Sequence, residues 1–338
     1  MDIHQEPRDF GNIYRECYAD GLRGFLEQLK AASIRNRDMQ AEEILQNPDS
    51  FRDKVRNILG WPLIQKDRKP CAHKITFVAS DAQADIYRVQ LESQPGLWMY
   101  GILFLKRGKK LPLIIAQHGG QGTPELCSSF FDSTNYNDMV RRILERDVHV
   151  FCPQTFLWAP ELFGEVPFSR AELDDALQSF GSSTAALELD GLMKWLDWLS
   201  NLDDVIADQI GMIGFSWGGF FTLYLTALDT RIKAALCAGY FTEKTRYNWP
   251  AWTWSNSLNT FADAEIGGLI FPRSLWLQLG DHDELFALDS AKREFDRLQK
   301  FYSASPEALH FESFDGTHEF SHSNDGIDFV VRRLSCSP

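Results

Sequence analysis

The chain has 338 residues, with 47 acidic against 34 basic side chains, a formal net charge of −13, and a composition that is 44% hydrophobic. That apolar content excludes intrinsic disorder, and the acidity excludes a surface built to hold phosphate backbones or anionic lipid, so neither nucleic acid nor a membrane is expected as a partner. The length allows two domains or one decorated α/β unit.

The first residues, MDIHQEPRDF, show no basic flank followed by an apolar stretch, and no apolar run approaches ~18 residues, so the chain reads as soluble and unexported, with a cytoplasmic location expected. Six cysteines (Cys17, Cys71, Cys127, Cys152, Cys237 and Cys336) are scattered without a CxxC pair, which fits free structural thiols in a reducing compartment.

Residues 1–65 read as a helical extension packed on the remainder. Ile13, Cys17, Leu22, Phe25, Leu26 and Leu29 fall at mostly helical spacings over 12–31. A second helix is expected over 49–59, where Phe51, Val55, Ile58 and Leu59 follow at i, i+4, i+7 and i+8. Pro48 blocks helix upstream, Asp49 or Ser50 caps, and Gly60 with Pro62 stops it. Three strand-like runs come next, at 73–79, 84–92 and 98–106.

From Pro112 onward, short and nearly continuous apolar runs alternate with helical patterns. LIIAQH (113–118), VHVFCP (148–153), IGMIGF (210–215), IKAALCAGY (232–240) and SLWLQLG (274–280) read as buried strands. Ala185, Leu189, Leu192, Leu196 and Leu199 make one amphipathic helix face, and Ala291, Phe295, Leu298 and Tyr302 another. This alternation predicts an α/β catalytic domain over 66–338, a parallel sheet covered on both faces, with chemistry in the loops beyond the strands' carboxyl ends.

After IGMIGF comes Gly214-Phe215-Ser216-Trp217-Gly218, a G-x-S-x-G sequence followed by an apolar, helix-compatible segment. The order strand, glycine-flanked serine, helix describes a nucleophile elbow, where residues with a Cβ beside the serine would collide with backbone. A serine hydroxyl needs a base, and the base needs a buried acid to orient it. On this fold the chain order is Ser, acid, His. His318 is chosen as base because it follows Asp315-Gly316-Thr317 just beyond the strand-like LHFESF, whereas His310 lies within that run. Asp281, Asp283 and Glu284 share the loop after SLWLQLG; Asp283 leads because Gly280-x-x-Asp283 leaves the turn room to bend under the imidazole. The glycine-rich turn His118-Gly119-Gly120-Gln121-Gly122 bares backbone amides, so Gly120 (alternatively Gln121) together with Trp217 is the expected oxyanion hole. His118 reads as a scaffold hydrogen-bonder. Trp249, Trp252 and Trp254, in an aromatic-rich insertion at about 241–266, are expected as pocket walls or as packing against the N-terminal helices or a second subunit; Trp158 is expected as the opposite wall.

The segments IGMIGFSWGG, AQHGGQG, FPRSLWLQLGDHDELF and FDGTHEF resemble the α/β-hydrolase superfamily, in particular its dienelactone hydrolase and acetyl xylan esterase-like group, over roughly residues 55–335. The resemblance implies an eight-stranded, mostly parallel sheet with helices on both faces, Ser216, Asp283 and His318 as a triad, and a small acetyl-like ester as substrate. Neither metal nor organic cofactor is expected. A dienelactone hydrolase proper carries cysteine where Ser216 stands, which points away from lactone chemistry, and the helical opening is longer than a minimal hydrolase needs.

His318-Glu319-Phe320-Ser321-His322 also matches H-E-x-x-H, a zinc-protease signature if helical. Asp315-Gly316 before it and Asn324-Asp325-Gly326 after it leave little room for a helix. The reading is therefore a serine carboxylic-ester hydrolase acting through an acyl-enzyme, with a small-molecule ester as partner and a homo-oligomer allowed. A serine peptidase of the same fold is the alternative, ahead of a zinc protease or a non-catalytic binding protein.

Overall fold

The structure, a computed structural model, describes residues 3–61, 71–131, 134–156, 169–247, 249 and 252–335. In chain order the helices are α1 (Asn12–Gln46), α2 (Pro48–Leu59), α3 (Pro124–Cys127), α4 (Met139–Leu144), α5 (Arg170–Ser179), α6 (Thr184–Leu199), α7 (Trp217–Leu228), α8 (Ser257–Thr260), α9 (Asp263–Gly268), α10 (Leu288–Leu298) and α11 (Asp325–Ser335). The strands are β1 (His73–Ser80), β2 (Asp85–Gln94), β3 (Leu97–Leu105), β4 (Leu111–Gln117), β5 (His149–Pro153), β6 (Val205–Phe215), β7 (Ile232–Ala238), β8 (Ser274–Gly280) and β9 (Leu309–Phe314).

All nine strands join one sheet in the order β1-β2-β3-β5-β4-β6-β7-β8-β9. The first three contacts are antiparallel, and from β5 to β9 every pair is parallel. The count is nine where the family resemblance implied eight, because the run at 73–80 pairs with β2 as an outer arm. That arm is exposed along its whole length.

Side chains alternate across the central strands, and each face feeds its own core. Leu113, Ile115, Met212, Cys237 and Leu277 face the side that holds α2, α6, α7 and α10. Ile114, Ala116, Ile213, Phe215 and Leu236 face the side of α4 and α11. Burial on both faces is why these strands are continuously apolar.

The helical opening departs from expectation in two ways. Asn47, not Asp49 or Ser50, is the N-cap of α2, and Pro48 occupies the first helical position, where a missing N–H costs nothing. The preceding helix runs to Gln46 rather than stopping near 31. Its second half was hidden because two of its three buried positions, Ser33 and Arg37, are polar, with Ile44 the third: Arg37 is 3% exposed and forms an ion pair of 3.2 Å with Glu265 of α9. By contrast α2 docks through Phe51, Val55 and Leu59, all fully buried, each contributing about 1.5–3 kcal/mol. Gly60 ends it at φ 77, and a Cβ there would lie 2.5 Å from the Gly181 carbonyl.

Candidate active site

The parallel strands end together at one sheet edge, and β4, β6, β8 and β9 each send a loop over it. Ser216 sits between β6 and α7 with φ 59 and ψ −123, a conformation that a non-glycine residue holds only under constraint. The flanking glycines supply the constraint through close approach. A Cβ on Gly214 would lie 2.2 Å from the Gly218 carbonyl oxygen, and one on Gly218 would lie 2.2 Å from that of Gln117. The turn therefore wedges between its own helix and the end of β4, lifting the serine hydroxyl clear of both.

His318 Nε2 lies 2.9 Å from Ser216 Oγ, and its Nδ1 lies 2.8 Å from Asp283 Oδ2. Asp283 Oδ1 accepts the backbone N–H groups of Leu285 and Phe286, both at 2.8 Å, and only 1% of the aspartate side chain is exposed. The carboxylate is thus held from behind by peptide dipoles and turned to the imidazole. Asp281 and Glu284 are exposed, as is His282, which pairs with Asp315 at 3.3 Å. Gly280 matters to the neighbouring loop as much as to its own: a Cβ there would meet the Thr317 carbonyl oxygen at 2.3 Å, so only glycine lets the His318 loop pass so close.

Residues that were not singled out in the sequence anchor that loop. Asn135 donates from its side chain to the His318 carbonyl at 3.0 Å, and its own carbonyl accepts the Phe320 N–H at 2.8 Å. Asn137 donates to the Phe320 carbonyl and to Glu319. Asparagine density in TNYND was the available signal. Phe215 and Phe286 pack on the imidazole, with ring centroids 4.8 and 5.7 Å away. The H-E-x-x-H residues lie in a loop, not a helix, and both ring nitrogens of His318 are already engaged by Ser216 and Asp283. The second histidine, His322, is 80% exposed. His310 stacks on Trp276 within β9.

Trp217 and Gly120, with Gln121, border the same cavity as Ser216 and His318. The amide of Trp217 belongs to the first residue of α7, at the helix end whose N–H groups point toward the loop side. His118 Nδ1 lies 2.7 Å from the Gly119 carbonyl, and its Nε2 accepts the Thr155 N–H at 3.1 Å, which fixes the proton on Nδ1. Burial lowers this imidazole to about 4, so it stays neutral. The Gly119 carbonyl also accepts the Gly122 N–H. Because a trans peptide points its carbonyl and its N–H opposite ways, pinning the Gly119 oxygen directs the Gly120 N–H away from His118. The Gly119 N–H donates to the Tyr136 hydroxyl at 2.7 Å.

The cavity measures about 470 Å³ and is lined further by Leu126, Thr134, Phe215, Trp249, Trp252 and Leu285. No lysine, arginine, aspartate or glutamate is among its described lining residues. Trp217, Trp252 and Trp249 form a stacked column with centroid separations of 5.0 and 4.5 Å. Trp254 does not reach this cavity. It packs on Phe220 and Tyr224, a turn further along α7, and lines a separate groove beneath α1. Trp158 lies outside the described residues.

No described helix is long and apolar enough to cross a membrane. Among curated protein sequences nothing matches the chain. Solved structures of the same fold include a candidate acetyl xylan esterase from Bacteroides fragilis, 16% identical, with a TM-score of 0.67 over 82% of this chain and 77% of that one. A glucuronoyl esterase from Solibacter usitatus is 13% identical, with a TM-score of 0.63 over 84% and 91%. Acetyl xylan esterase 1 from Thermoanaerobacterium sp. is 13% identical, with a TM-score of 0.55 over 86% and 93%. The model of the dienelactone hydrolase family matches residues 129–331, a span that contains Ser216, Asp283 and His318. The chain belongs to the dienelactone hydrolase family and is a hydrolase of the α/β-hydrolase fold.

Proposed function

We propose that the protein is a serine carboxylic-ester hydrolase acting on small, uncharged acyl esters. The observation that carries this reading is the single imidazole of His318 bridging Ser216 Oγ and Asp283 Oδ2 beside an aromatic cavity with no lysine, arginine, aspartate or glutamate among its described lining residues. His318 takes the serine proton as Ser216 attacks the ester carbonyl, and Asp283 stabilises the imidazolium that forms. The N–H groups of Trp217 and Gly120 receive the negative charge on the carbonyl oxygen. The imidazolium then protonates the leaving alcohol, and water, deprotonated by the same imidazole, releases the acid and regenerates the serine.

Two features support an uncharged ester rather than an ionised substrate. Among its described lining residues the cavity offers no lysine or arginine to neutralise a carboxylate, and Trp217, Trp252 and Trp249 give it an apolar, aromatic wall. The solved relatives named for acetyl xylan and glucuronoyl ester cleavage make a carbohydrate ester the first substrate to try. The free cysteines among the described residues accord with a reducing, cytoplasmic setting.

The test is covalent labelling by a fluorophosphonate, followed by peptide mapping and turnover of p-nitrophenyl esters of increasing chain length. The adduct is expected on Ser216, and Ser216→Ala is expected to reduce kcat by about 10⁴-fold or more. Turnover of peptide amides in preference to esters would replace the esterase by a peptidase, and an unlabelled Ser216 in an enzyme that still turns over would remove the triad from the reaction.

A further inference from the structure

Helix α1 has two unlike halves. From Ser33 onward it is fastened to the body: Arg37 pairs with Glu265 and donates to the Leu258 carbonyl, and Asp38 receives Arg297 at 2.9 Å. Before Ser33, every residue from 12 to 31 except Ala19 is exposed. Those twenty residues extend about 30 Å. A helix of that length is only marginally stable in water by itself, and Gly21 and Gly24 in its interior weaken it further.

The projecting half is nevertheless amphipathic. Tyr14, Tyr18, Leu22, Phe25 and Leu29 recur at i, i+4, i+8, i+11 and i+15, a single stripe down the helix, and are 44–72% exposed. Glu16, Asp20, Arg23, Glu27 and Lys30 gather on the other side, where Arg23 pairs with Asp20 and Lys30 with Glu27. That polar side is nearly balanced in charge and lacks the basic excess of a helix that lies on anionic lipid. With Leu26 beside it, the stripe leaves on the order of 800 Å² of accessible surface per copy, which is what one partner contributes to a standard-size protein interface. An uncharged apolar stripe is complementary to itself, the requirement for a two-fold contact.

We infer that the first half of α1 is a homodimerisation helix, whose apolar stripe packs against the same stripe of a second copy of this chain. The Arg37–Glu265 and Arg297–Asp38 ion pairs fix the direction in which the helix leaves the body, so the stripe is presented for that contact in one orientation. The contact requires nothing from the catalytic edge, and its success or failure is separate from the esterase reading.

Sedimentation equilibrium of the full chain across micromolar concentrations tests this. The expected result is a species of twice the 38.7 kDa chain mass. A chain carrying both Tyr18→Glu and Phe25→Glu is expected to sediment as a monomer, with association weakened by about 100-fold or more, and amide exchange over residues 12–31 is expected to become fast. Because both side chains are exposed, the melting temperature of the body should hold. A monomeric wild-type chain overturns the inference, as does a dimer that survives the double substitution. A wild-type chain that stays monomeric while co-sedimenting with phosphatidylcholine and phosphatidylglycerol vesicles overturns it in favour of a lipid surface.

Discussion

Two groups of buried carboxylates, one at the catalytic edge and one beneath α1, are treated differently by the protein. At the catalytic edge, Asp283 is nearly inaccessible yet receives two backbone N–H groups and one imidazole, so each of its oxygens has a partner. Beneath α1, the carboxylates of Asp263, Glu265 and Glu294 crowd together; each accepts one backbone N–H, and among the described residues Arg37, Lys244 and Arg297 pair with them. Burial raises Asp263 to about 6 and, with the Glu265 charge beside it, Glu294 to about 8. Burial likewise lowers Lys244, whose ammonium lies 3.9 Å from the Trp252 centroid and 4.0 Å from that of Tyr240, to about 8. Peptide dipoles aimed at one carboxylate prepare it to stabilise a transient cation. Mutual pairing among many charges instead fixes the position of a helix.

The sharpest way to break the comparison is to neutralise one carboxylate on the catalytic side. Asp283→Asn preserves shape but favours the wrong imidazole tautomer, so kcat is expected to fall by about 10⁴-fold while the melting temperature barely moves. A fall of less than about tenfold would mean that Asp283 does not orient His318. On the other side the readouts exchange places. Arg37→Ala removes from Glu265, which is 1% exposed, its partner on α1 while Arg297 stays paired with it, and about 1.5–3 kcal/mol of stability should be lost by denaturant titration. Ester turnover per folded molecule should hold, since Arg37 touches nothing in the catalytic cavity.

The same contrast explains what could be read from the amino-acid order. The elbow was legible because its glycines flank the serine at a fixed short spacing directly after an apolar strand, even though Gly214 answers to Gly218 nearby and Gly218 to Gln117 about a hundred residues earlier. The strands from 113 onward were legible because burial on both faces leaves an unbroken apolar run, as in LIIAQ and SLWLQLG. The second half of α1 was not, since two of its three buried residues are Ser33 and Arg37, and the carbonyl and carboxylate that Arg37 serves stand more than two hundred residues away. Asn135 and Asn137 were missed for a similar reason: they serve the His318 loop about 180 residues downstream, and nothing local requires an amide there. Trp252 and Trp254 were assigned one role, yet α7 sets Trp252 beside Trp217 and Trp254 a turn away at Tyr224.

Between the two carboxylate groups in size of effect stands Tyr136, a neutral group whose hydroxyl accepts the Gly119 N–H. Tyr136→Phe leaves that N–H buried and unpaired, at about 1–3 kcal/mol of stability. It also loosens the peptide whose neighbour carries the proposed oxyanion donor. A fall in kcat of about tenfold with KM nearly constant is expected in steady-state kinetics. A rise in KM at constant kcat would instead assign Tyr136 to ground-state binding.

The smallest effect is expected from Glu294→Gln at pH 5, where the native carboxyl is already protonated and the amide replaces it almost isosterically. Its value is in the pH dependence. The native group titrates near 8 and the unfolded one near its ordinary 4.5, so between these values the unfolded chain binds fewer protons and stability declines as pH rises. This contribution is fully present below about 4.5 and is lost through about 8. The groups facing Glu294 do not reverse the direction: the Ala264 N–H and the Arg37 charge favour the ionised form, but burial and the charges of Glu265 and Asp263 outweigh them. Thermal melts of both proteins from pH 5 to pH 8 at fixed ionic strength should start together and separate, the Gln variant losing less. Parallel profiles would mean that Glu294 is ionised in the folded protein throughout, and that the carboxylates beneath α1 are as fully compensated as Asp283.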